Sequence, residues 1–254
     1  MDLGLKGKVA IVTGGTKGIG SGTAEVLAQE GCNLALVYRS DEEGSQNFCK
    51  KLADAYGVEV LPVKADITDL QAVENMWKTV IDHYGTPDIL INNAAGGSPR
   101  GVDFLDVTYE QWEDCMNGCL GHVFNLSQRF LKEIKKAGKT GHIVNISAKA
   151  AMRSDSVDKI PYATAKGAIA TLTRRMAHAY IESGVWINAI VPGYVINNGA
   201  YKDPNNPIRQ SKEKLLRIGW AIPEDMGNVI TFLCSDKSRQ VIGAVIDTSG
   251  GTMF

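Results

Sequence analysis

The chain has 254 residues, of which 44% are hydrophobic and 22% charged, and its formal net charge is −1. This composition is that of a globular protein with a sizeable core, and the balanced charge offers no basic surface for nucleic acid. We expect no signal peptide at the N-terminus and no membrane association, because no apolar run reaches membrane-spanning length. The five cysteines form an odd set without metal-ligand spacing, which predicts reduced thiols, a cytoplasmic protein and no metal site.

Short β-branched runs alternate with helical stretches along the chain. They predict seven strands, at Val9–Val12, Leu34–Tyr38, Val58–Val63, Ile89–Asn92, His142–Ser147, Val185–Val191 and Ala244–Asp247. Strands that alternate with helices form parallel sheets, and runs that are apolar almost throughout are covered on both faces. The predicted fold is therefore one α/β domain, residues 1–254, with a doubly wound parallel seven-stranded sheet and helices on both faces.

One long stretch, residues 197–220, interrupts this alternation. It contains Asn-Asn-Gly, then two prolines within Asp203–Pro207, and then a polar, helical-looking segment at Arg209–Arg217. Loops of this length are commonly lids or binding loops. We therefore predict a substrate lid at about residues 197–220.

The first predicted strand runs directly into a glycine-rich turn, which reads Thr13-Gly14-Gly15-Thr16-Lys17-Gly18-Ile19-Gly20 and precedes a helix that begins near Ser21. Glycines permit a tight turn and let backbone N–H groups approach a pyrophosphate at the helix N-terminus. The position at the first β–α junction predicts a dinucleotide site, although the glycine spacing is wider than G-x-G-x-x-G.

The end of the second strand indicates which dinucleotide is bound. An acidic residue at this place would accept a hydrogen bond from the ribose 2′-hydroxyl of NAD. This chain has Tyr38-Arg39-Ser40 instead, and an aspartate follows only at position 41. Arg39, together with Lys17 in the glycine turn, suits a 2′-phosphate, so we predict NADP(H).

Tyr162 and Lys166 lie four residues apart on a predicted helix and therefore share one face. A phenol with a reference pKa of about 10 becomes a better acid when a nearby ammonium stabilises its phenolate. The pair can thus act on one proton. The spacing also arises by chance on solvated helices, so its meaning depends on the rest of the chain.

In this context the chain resembles the classical short-chain dehydrogenase/reductase family over essentially its whole length. The matching motifs are the glycine turn, Lys64-Ala65-Asp66-Ile67, Asn92-Asn93-Ala94-Ala95-Gly96, Tyr162 with Lys166, and Pro192-Gly193. The resemblance implies a Rossmann-like fold and hydride transfer between a nicotinamide and a carbonyl or alcohol carbon. It implies that Tyr162 is the proton donor and that Lys166 lowers the pKa of Tyr162.

The resemblance also implies which residues hold the cofactor. They are Gly14, Thr16, Lys17, Gly18, Ile19, Gly20, Tyr38, Arg39, Ser40, Asp66, Ile67, Asn93, Ala94, Ala95, Tyr162, Lys166, Pro192, Gly193 and Val195.

Two positions depart from the family pattern. Where the family usually has a catalytic serine, this chain has Ala148, and Ser147 lies one residue earlier. Adjacent strand residues point to opposite faces, so Ser147 replaces that serine only if the backbone bends where the strand ends. We keep Ser147 as the third candidate catalytic residue. Where the family usually has an asparagine, this chain has Cys119, and a thiol is a weak donor and acceptor.

Three functions remain open at this stage. The first is a small-molecule carbonyl reductase that depends on Tyr162 and Lys166. The second is a reductase of an imine or an activated C=C bond, because the Asn-Asn-Ala-Ala-Gly run is similar to that of some enoyl and dienoyl thioester reductases. The third is a sensor that binds NADP(H) without turnover.

The substrate pocket is expected to be lined by residues 97–100, 149–160 and the lid. Candidate contacts are Arg100, Met152, Arg153, Tyr201 and Trp220, and Asp155 or Ser156 is a candidate for the missing hydrogen bond. By resemblance we also predict a homotetramer, or a homodimer, formed through two long helices at residues 112–137 and 161–182 and through the last strand.

Overall fold

The computed structural model describes residues 2–97, 99, 101–153, 159–196 and 201–252. Within these ranges the strands are β1 (Val9–Thr13), β2 (Asn33–Tyr38), β3 (Val60–Lys64), β4 (Ile89–Asn92), β5 (Gly141–Ile146), β6 (Val185–Pro192) and β7 (Val245–Thr248). The helices are α1 (Gly18–Gln29), α2 (Glu42–Tyr56), α3 (Leu70–Tyr84), α4 (Tyr109–Met116), α5 (His122–Ala137), α6 (Ile160–Tyr180), α7 (Pro207–Glu213) and α8 (Pro223–Leu233).

The seven strands form one parallel sheet in the order β3-β2-β1-β4-β5-β6-β7. This confirms the predicted doubly wound, Rossmann-like sheet. The winding reverses between β1 and β4, which are neighbours in the sheet but not in the sequence. In open α/β sheets the crevice for a ligand lies at the carboxyl ends of the strands at such a reversal.

The sheet separates two apolar layers. In β1, Ala10 and Val12 pack into one layer with α1 and α8, whereas Ile11 packs into the other with α3 and α5. All three side chains are fully buried. A strand buried on both faces needs apolar residues at consecutive positions, and that explains the continuous apolar runs in the sequence.

The helix predicted at residues 112–137 is interrupted. A π-helical turn at Asn117–Gly121 separates α4 from α5, and α4 begins three residues earlier than expected. Gly118 lies against Gly96 of the loop after β4, and its carbonyl accepts a hydrogen bond from the Gly96 N–H. A Cβ at Gly96 would lie 2.6 Å from the Gly118 Cα, so this close approach requires glycine at position 96. The backbone contact between the two segments accompanies the wider helical turn.

The lid helix also differs from the expected segment at Arg209–Arg217. The structure has α7 at Pro207–Glu213, where Pro207 occupies the first turn and the Asn206 side chain accepts a hydrogen bond from the Ile208 N–H. Proline and an asparagine cap both favour a helix start at this point. Residues 197–200 of the predicted lid lie outside the described residues. Across the described ranges, none of the helices combines the length and the apolar character needed to span a membrane.

Candidate active site

A cleft of about 470 Å³ lies along the carboxyl ends of the strands. It runs from the end of β2 past the β1–β4 reversal to the end of β6, and Tyr201 of the lid closes one side. All residues predicted to hold the cofactor line this cleft except Gly20, and Ser147 and Ala148 line it too. The fold thus brings together residues spread over most of the chain.

The glycine turn between β1 and α1 forms the floor of this cleft. Gly14 and Gly18 have φ values of 62° and 57°, in the left-handed region that favours glycine. Gly20 has a different role, because a Cβ there would lie 2.1 Å from the Gly14 carbonyl oxygen. Gly20 therefore allows the first turn of α1 to pack against the loop, and it need not contact a ligand.

The N-terminus of α1 opens into the cleft. Its N-cap residue, Lys17, makes no side-chain capping hydrogen bond, and the first turn contains no acidic residue. The first N–H groups of a helix carry a partial positive charge and bind anions when no side chain caps them. Gly18 and Ile19 line the cleft at this end. The arrangement fits the pyrophosphate of a dinucleotide.

Asn93 fastens the end of β4 to the glycine turn. Its side-chain amide donates to the carbonyl oxygens of Thr13, at 2.8 Å, and Gly14, at 3.3 Å. In return, the Thr13 hydroxyl oxygen accepts hydrogen bonds from the backbone N–H groups of Asn93 and Ala94. These hydrogen bonds fix the position of the end of β4 relative to the end of β1, where the winding of the sheet reverses.

At the far end of the cleft, the side chain of Asp41 caps a helix. Asp41 is the N-cap of α2, and its side chain accepts a hydrogen bond from the Gly44 N–H at 3.2 Å. Arg39 and Ser40 are exposed and line the cleft instead. Across from them, hydrogen bonds from Thr68 and, to a lesser extent, the Arg39 charge keep the pKa of Asp66 below its usual value.

Tyr162 and Lys166 lie on the first two turns of α6, where both line the cleft. The Lys166 ammonium lies 5.9 Å from the centroid of the Tyr162 ring and donates a hydrogen bond of 2.8 Å to the Ile146 carbonyl oxygen. Lys166 is only 2% exposed, and this burial lowers its pKa to about 8. The structure therefore places a buried ammonium group close to the Tyr162 ring at the wall of the cleft.

Ser147 reaches the cleft, but its hydroxyl is already engaged. The Oγ donates a hydrogen bond of 2.8 Å to the carbonyl oxygen of Lys166, and the Ser147 N–H continues the ladder to Ile190 beyond the end of β5. Ser147 therefore fastens α6 to the sheet at Lys166. Polarisation of a substrate carbonyl by this hydroxyl would require it to leave that bond.

The back wall behind Lys166 contains Cys115, Cys119 and a residue that the sequence analysis did not identify, His122. Both thiols are fully buried with Ala165, and burial raises the pKa of Cys119 to about 11. His122 is fully buried; the loss of solvation, and then the Lys166 charge, lower its pKa to about 3. His122 follows Cys119 by three residues, which places the two side chains on the same side of the helix. This spacing is the feature of the sequence that could have indicated His122 as a residue of the site.

The residues predicted to contact the substrate do not all lie at the cleft. Tyr201 lines the cleft, and Trp220 packs against it with 5.3 Å between ring centroids. Arg153 instead donates a hydrogen bond of 2.7 Å to the Thr252 carbonyl oxygen, and the Met152 side chain is 53% exposed. Arg100, Asp155 and Ser156 lie outside the described residues.

A parallel α/β sheet, an uncapped helix end beside a glycine turn and a Tyr–Lys pair in one cleft define the class of dinucleotide-dependent oxidoreductases. Residues 14–253 match the family model described as enoyl-(acyl carrier protein) reductase. The chain belongs to the short-chain dehydrogenase/reductase family, and it is an oxidoreductase of that family that acts on small molecules.

Its relatives differ in substrate. The chain is 30% identical over 252 residues to a 3-oxoacyl-(acyl-carrier-protein) reductase of Aquifex aeolicus, with 99% of both chains covered. It is 32% identical over 251 residues to a 2-dehydro-3-deoxy-D-gluconate 5-dehydrogenase of Dickeya dadantii, covering 97% of this chain and 96% of the relative. The crystal structure of L-sorbose reductase from Gluconobacter frateurii, complexed with NADPH and L-sorbose, matches with a TM-score of 0.91 and 26% identity, covering 100% and 99% of the two chains.

Proposed function

We propose that the protein is an NADP(H)-dependent reductase of small-molecule carbonyl compounds. The observation that carries this proposal is that Tyr162 and Lys166 line the same continuous cleft as the glycine turn and Arg39. One domain, residues 1–254, would hold both cofactor and substrate under the lid at about 197–220. The five cysteines, all free and buried, support a cytoplasmic location.

The residues of the cleft fit NADP(H) along its length. The α1 N-terminus would hold the pyrophosphate, and Arg39 with Lys17 would hold the 2′-phosphate. Asp66 and Ile67 would lie at the adenine, Asn93 and Ala94 along a ribose, and Pro192, Gly193 and Val195 beside the nicotinamide. The bound cofactor supplies the hydride. L-sorbose reductase, which has the same fold, was solved with NADPH.

The chain itself supplies the proton. Tyr162 would donate its phenolic hydrogen to the carbonyl oxygen as the carbon becomes an alcohol, and the positive charge of Lys166 would stabilise the phenolate that remains. Lys166 is held for this role by the Ile146 carbonyl, and its helical turn is held by Ser147. Lys166 is almost fully charged at pH values well below its pKa of about 8, and half of this charge is lost when the pH reaches that pKa.

A second candidate is reduction of an imine or an activated C=C bond. Two observations favour it: the matching family model is described as an enoyl reductase, and the Ser147 hydroxyl is bonded to Lys166. Such substrates depend less on a hydroxyl that polarises a carbonyl. The third candidate, a sensor, would bind NADPH and turn over nothing.

The test is NADPH oxidation with a panel of ketones, aldehydes, imines and enones, repeated with NADH. We expect turnover of carbonyl compounds, a preference for NADPH, and a loss of about 100-fold or more in kcat for Tyr162→Phe, because a general acid contributes roughly this much. Tyr180→Phe, an exposed tyrosine at the end of the same helix, is the matched control and should keep full activity.

Other outcomes of this panel separate the candidates. Turnover of enones that persists in Tyr162→Phe would replace the carbonyl reductase with the second candidate. Tight NADPH binding without turnover of any compound would leave the sensor as the remaining candidate function. Equal protection from heat by NADH and NADPH would contradict the role of Arg39 and Lys17.

We also propose a homotetramer, with a homodimer as the minimal assembly. An apolar groove runs between α4, the π-helical turn, α5 and α6, and its lining includes Tyr109, 74% exposed, and Phe124, 50% exposed. Large exposed aromatic side chains in one groove are typical of protein interfaces. The groove joins the two helical segments through which the family commonly assembles.

A further inference from the structure

Six side chains gather where the lid meets the cleft, and we call them the lid cluster. Three are aromatic rings that contact one another, with centroids 5.3–6.1 Å apart, and three are cations on the faces of these rings. The members are Tyr194, Tyr201, Trp220, Lys149, Arg209 and Lys212.

The lid cluster adjoins the predicted reaction centre. Tyr201 lines the same cleft as Tyr162. Lys149 directly follows Ala148, and Tyr194 directly follows Gly193, and both of these neighbours also line the cleft. Tyr201 is the member of the cluster that itself lines the cleft, so a small molecule that fills the cleft beside Tyr201 can approach both the cluster and Tyr162.

The cations of the cluster come from two separate parts of the chain. The Lys149 ammonium lies 4.3 Å from the centroid of the Tyr194 ring, and the Lys212 ammonium lies 5.9 Å from the same centroid. Arg209 stacks on Trp220, with its Cζ 5.1 Å from the ring centroid. A cation over the face of a ring is attracted to it, but like charges around neighbouring rings repel one another.

The lid as a whole carries a net positive charge, like the three cations of the cluster. Residues 201–220 contain five Lys and Arg against two Asp and Glu, whereas the whole chain carries −1. Among the described residues, Glu213 places a carboxylate beside the cluster, and its oxygen accepts a hydrogen bond of 3.4 Å from the Trp220 indole N–H. The segment that covers the reaction centre is thus positive in a nearly neutral protein.

Arg209 has one donor that the described part of the protein does not use. Its Nη1 donates to the carbonyl oxygens of Tyr201, at 2.9 Å, and Lys202, at 3.3 Å. Its Nε–H is shielded from solvent and has no hydrogen-bond partner among the described residues. A buried donor without an acceptor is unfavourable, and more so when the group is charged, so a ligand oxygen that accepts from this Nε–H would be stabilising.

We propose that the lid cluster is a binding site for the carboxylate of the substrate, so that the protein reduces a small carbonyl compound with a carboxylate at its far end. The proposal rests on the proposed reductase function for the place of the carbonyl. Ammonium and guanidinium groups pair with carboxylate oxygens, and in the lid cluster the aromatic rings hold these cations in position. If the cations only stabilise the packing of the lid, their removal will affect all ligands equally.

Two ketones test this directly. L-Sorbose and 5-ketogluconate carry the same ketone and the same neighbouring carbons, and differ in a terminal hydroxymethyl group against a carboxylate. With NADPH we expect kcat/KM to be at least about tenfold higher for 5-ketogluconate, which corresponds to about 1.4 kcal/mol. Lys212→Gln should lower this preference about tenfold. Lys214→Gln, which removes an exposed lysine of the same lid, should leave it unchanged.

A binding measurement separates this inference from the proposed reductase function. Calorimetry with NADP⁺ present would compare D-gluconate with D-glucitol, the alcohols that correspond to the two ketones. If no carbonyl compound of the panel is turned over, the proposed function fails, yet gluconate binding that weakens in Lys212→Gln and not in Lys214→Gln still supports the carboxylate site. Absent gluconate binding, equal binding of the two alcohols, or equal effects of the two lysine variants would overturn it.

Discussion

His122 shows how burial at a single residue governs charge in this site. It is enclosed behind Lys166, and its pKa is lowered to about 3, first by loss of solvation and then by the lysine charge. Neither ring nitrogen makes a hydrogen bond of normal geometry among the described residues, although the Ala94 carbonyl favours the protonated ring slightly. The imidazole is therefore neutral across the physiological range.

Because His122 is buried in its neutral form, the stability of the folded protein depends on pH in the acidic range. Between pH 6.5 and about 3 the unfolded chain binds a proton at His122 that the folded protein does not, so stability falls as the pH falls through this window. His122→Leu should therefore lose less stability than the parent between pH 7 and pH 5, measured as the midpoint of urea unfolding. His178→Leu, an exposed histidine on α6, is the control. Identical pH profiles for parent and His122→Leu would contradict this explanation.

Among the elements, α1 and α8 depend on glycine for their contact. A Cβ at Gly22 would lie 2.3 Å from the carbonyl carbon of Pro223, which is backbone and cannot move aside. By contrast, a Cβ at Gly167, in the interior of α6, would only touch Ala151 at 4.0 Å. The same residue type therefore has opposite roles in two helices.

Alanine at each position tests this difference. Gly22→Ala should destabilise the protein by about 1–3 kcal/mol, because it overpacks a helix contact. Gly167→Ala should stabilise it by up to about 1 kcal/mol, because alanine favours the helix and meets no obstacle. The measurement is the free energy of unfolding in urea. A stabilising Gly22→Ala would show that α8 can shift, and would remove the argument for close packing.

Local sequence patterns predict some secondary-structure elements of this protein correctly and fail to predict others. The patterns predicted the strands to within a few residues, because buried parallel strands need apolar runs. They did not predict the π-helical turn at Asn117–Gly121, because that turn is accompanied by a contact with Gly96, some twenty residues earlier. The start of α7 was misplaced because Pro207 and the Asn206 cap outweigh the polar helical pattern that follows.

At the scale of the whole molecule, we predict that copies of the chain assemble through the groove between α4, α5 and α6. Phe124→Glu places a charge at an aromatic position in this groove, so it should convert the assembly to smaller species by light scattering. Leu70→Glu, at a 62% exposed position outside the groove, should leave the mass unchanged. A parent protein with the mass of one 27.4 kDa chain would contradict the tetramer outright.

The sequence by itself determined the parallel sheet, the glycine turn and the identity of most residues along the cleft. These depend on local patterns: apolar runs, glycines at a β–α junction, and a Tyr–Lys spacing on one helix. Only the tertiary structure decided that the Ser147 hydroxyl binds the Lys166 carbonyl, that His122 lies behind Lys166, and that Lys149 meets lid residues. Each of these depends on side chains from distant segments packed together, and no local pattern records such contacts.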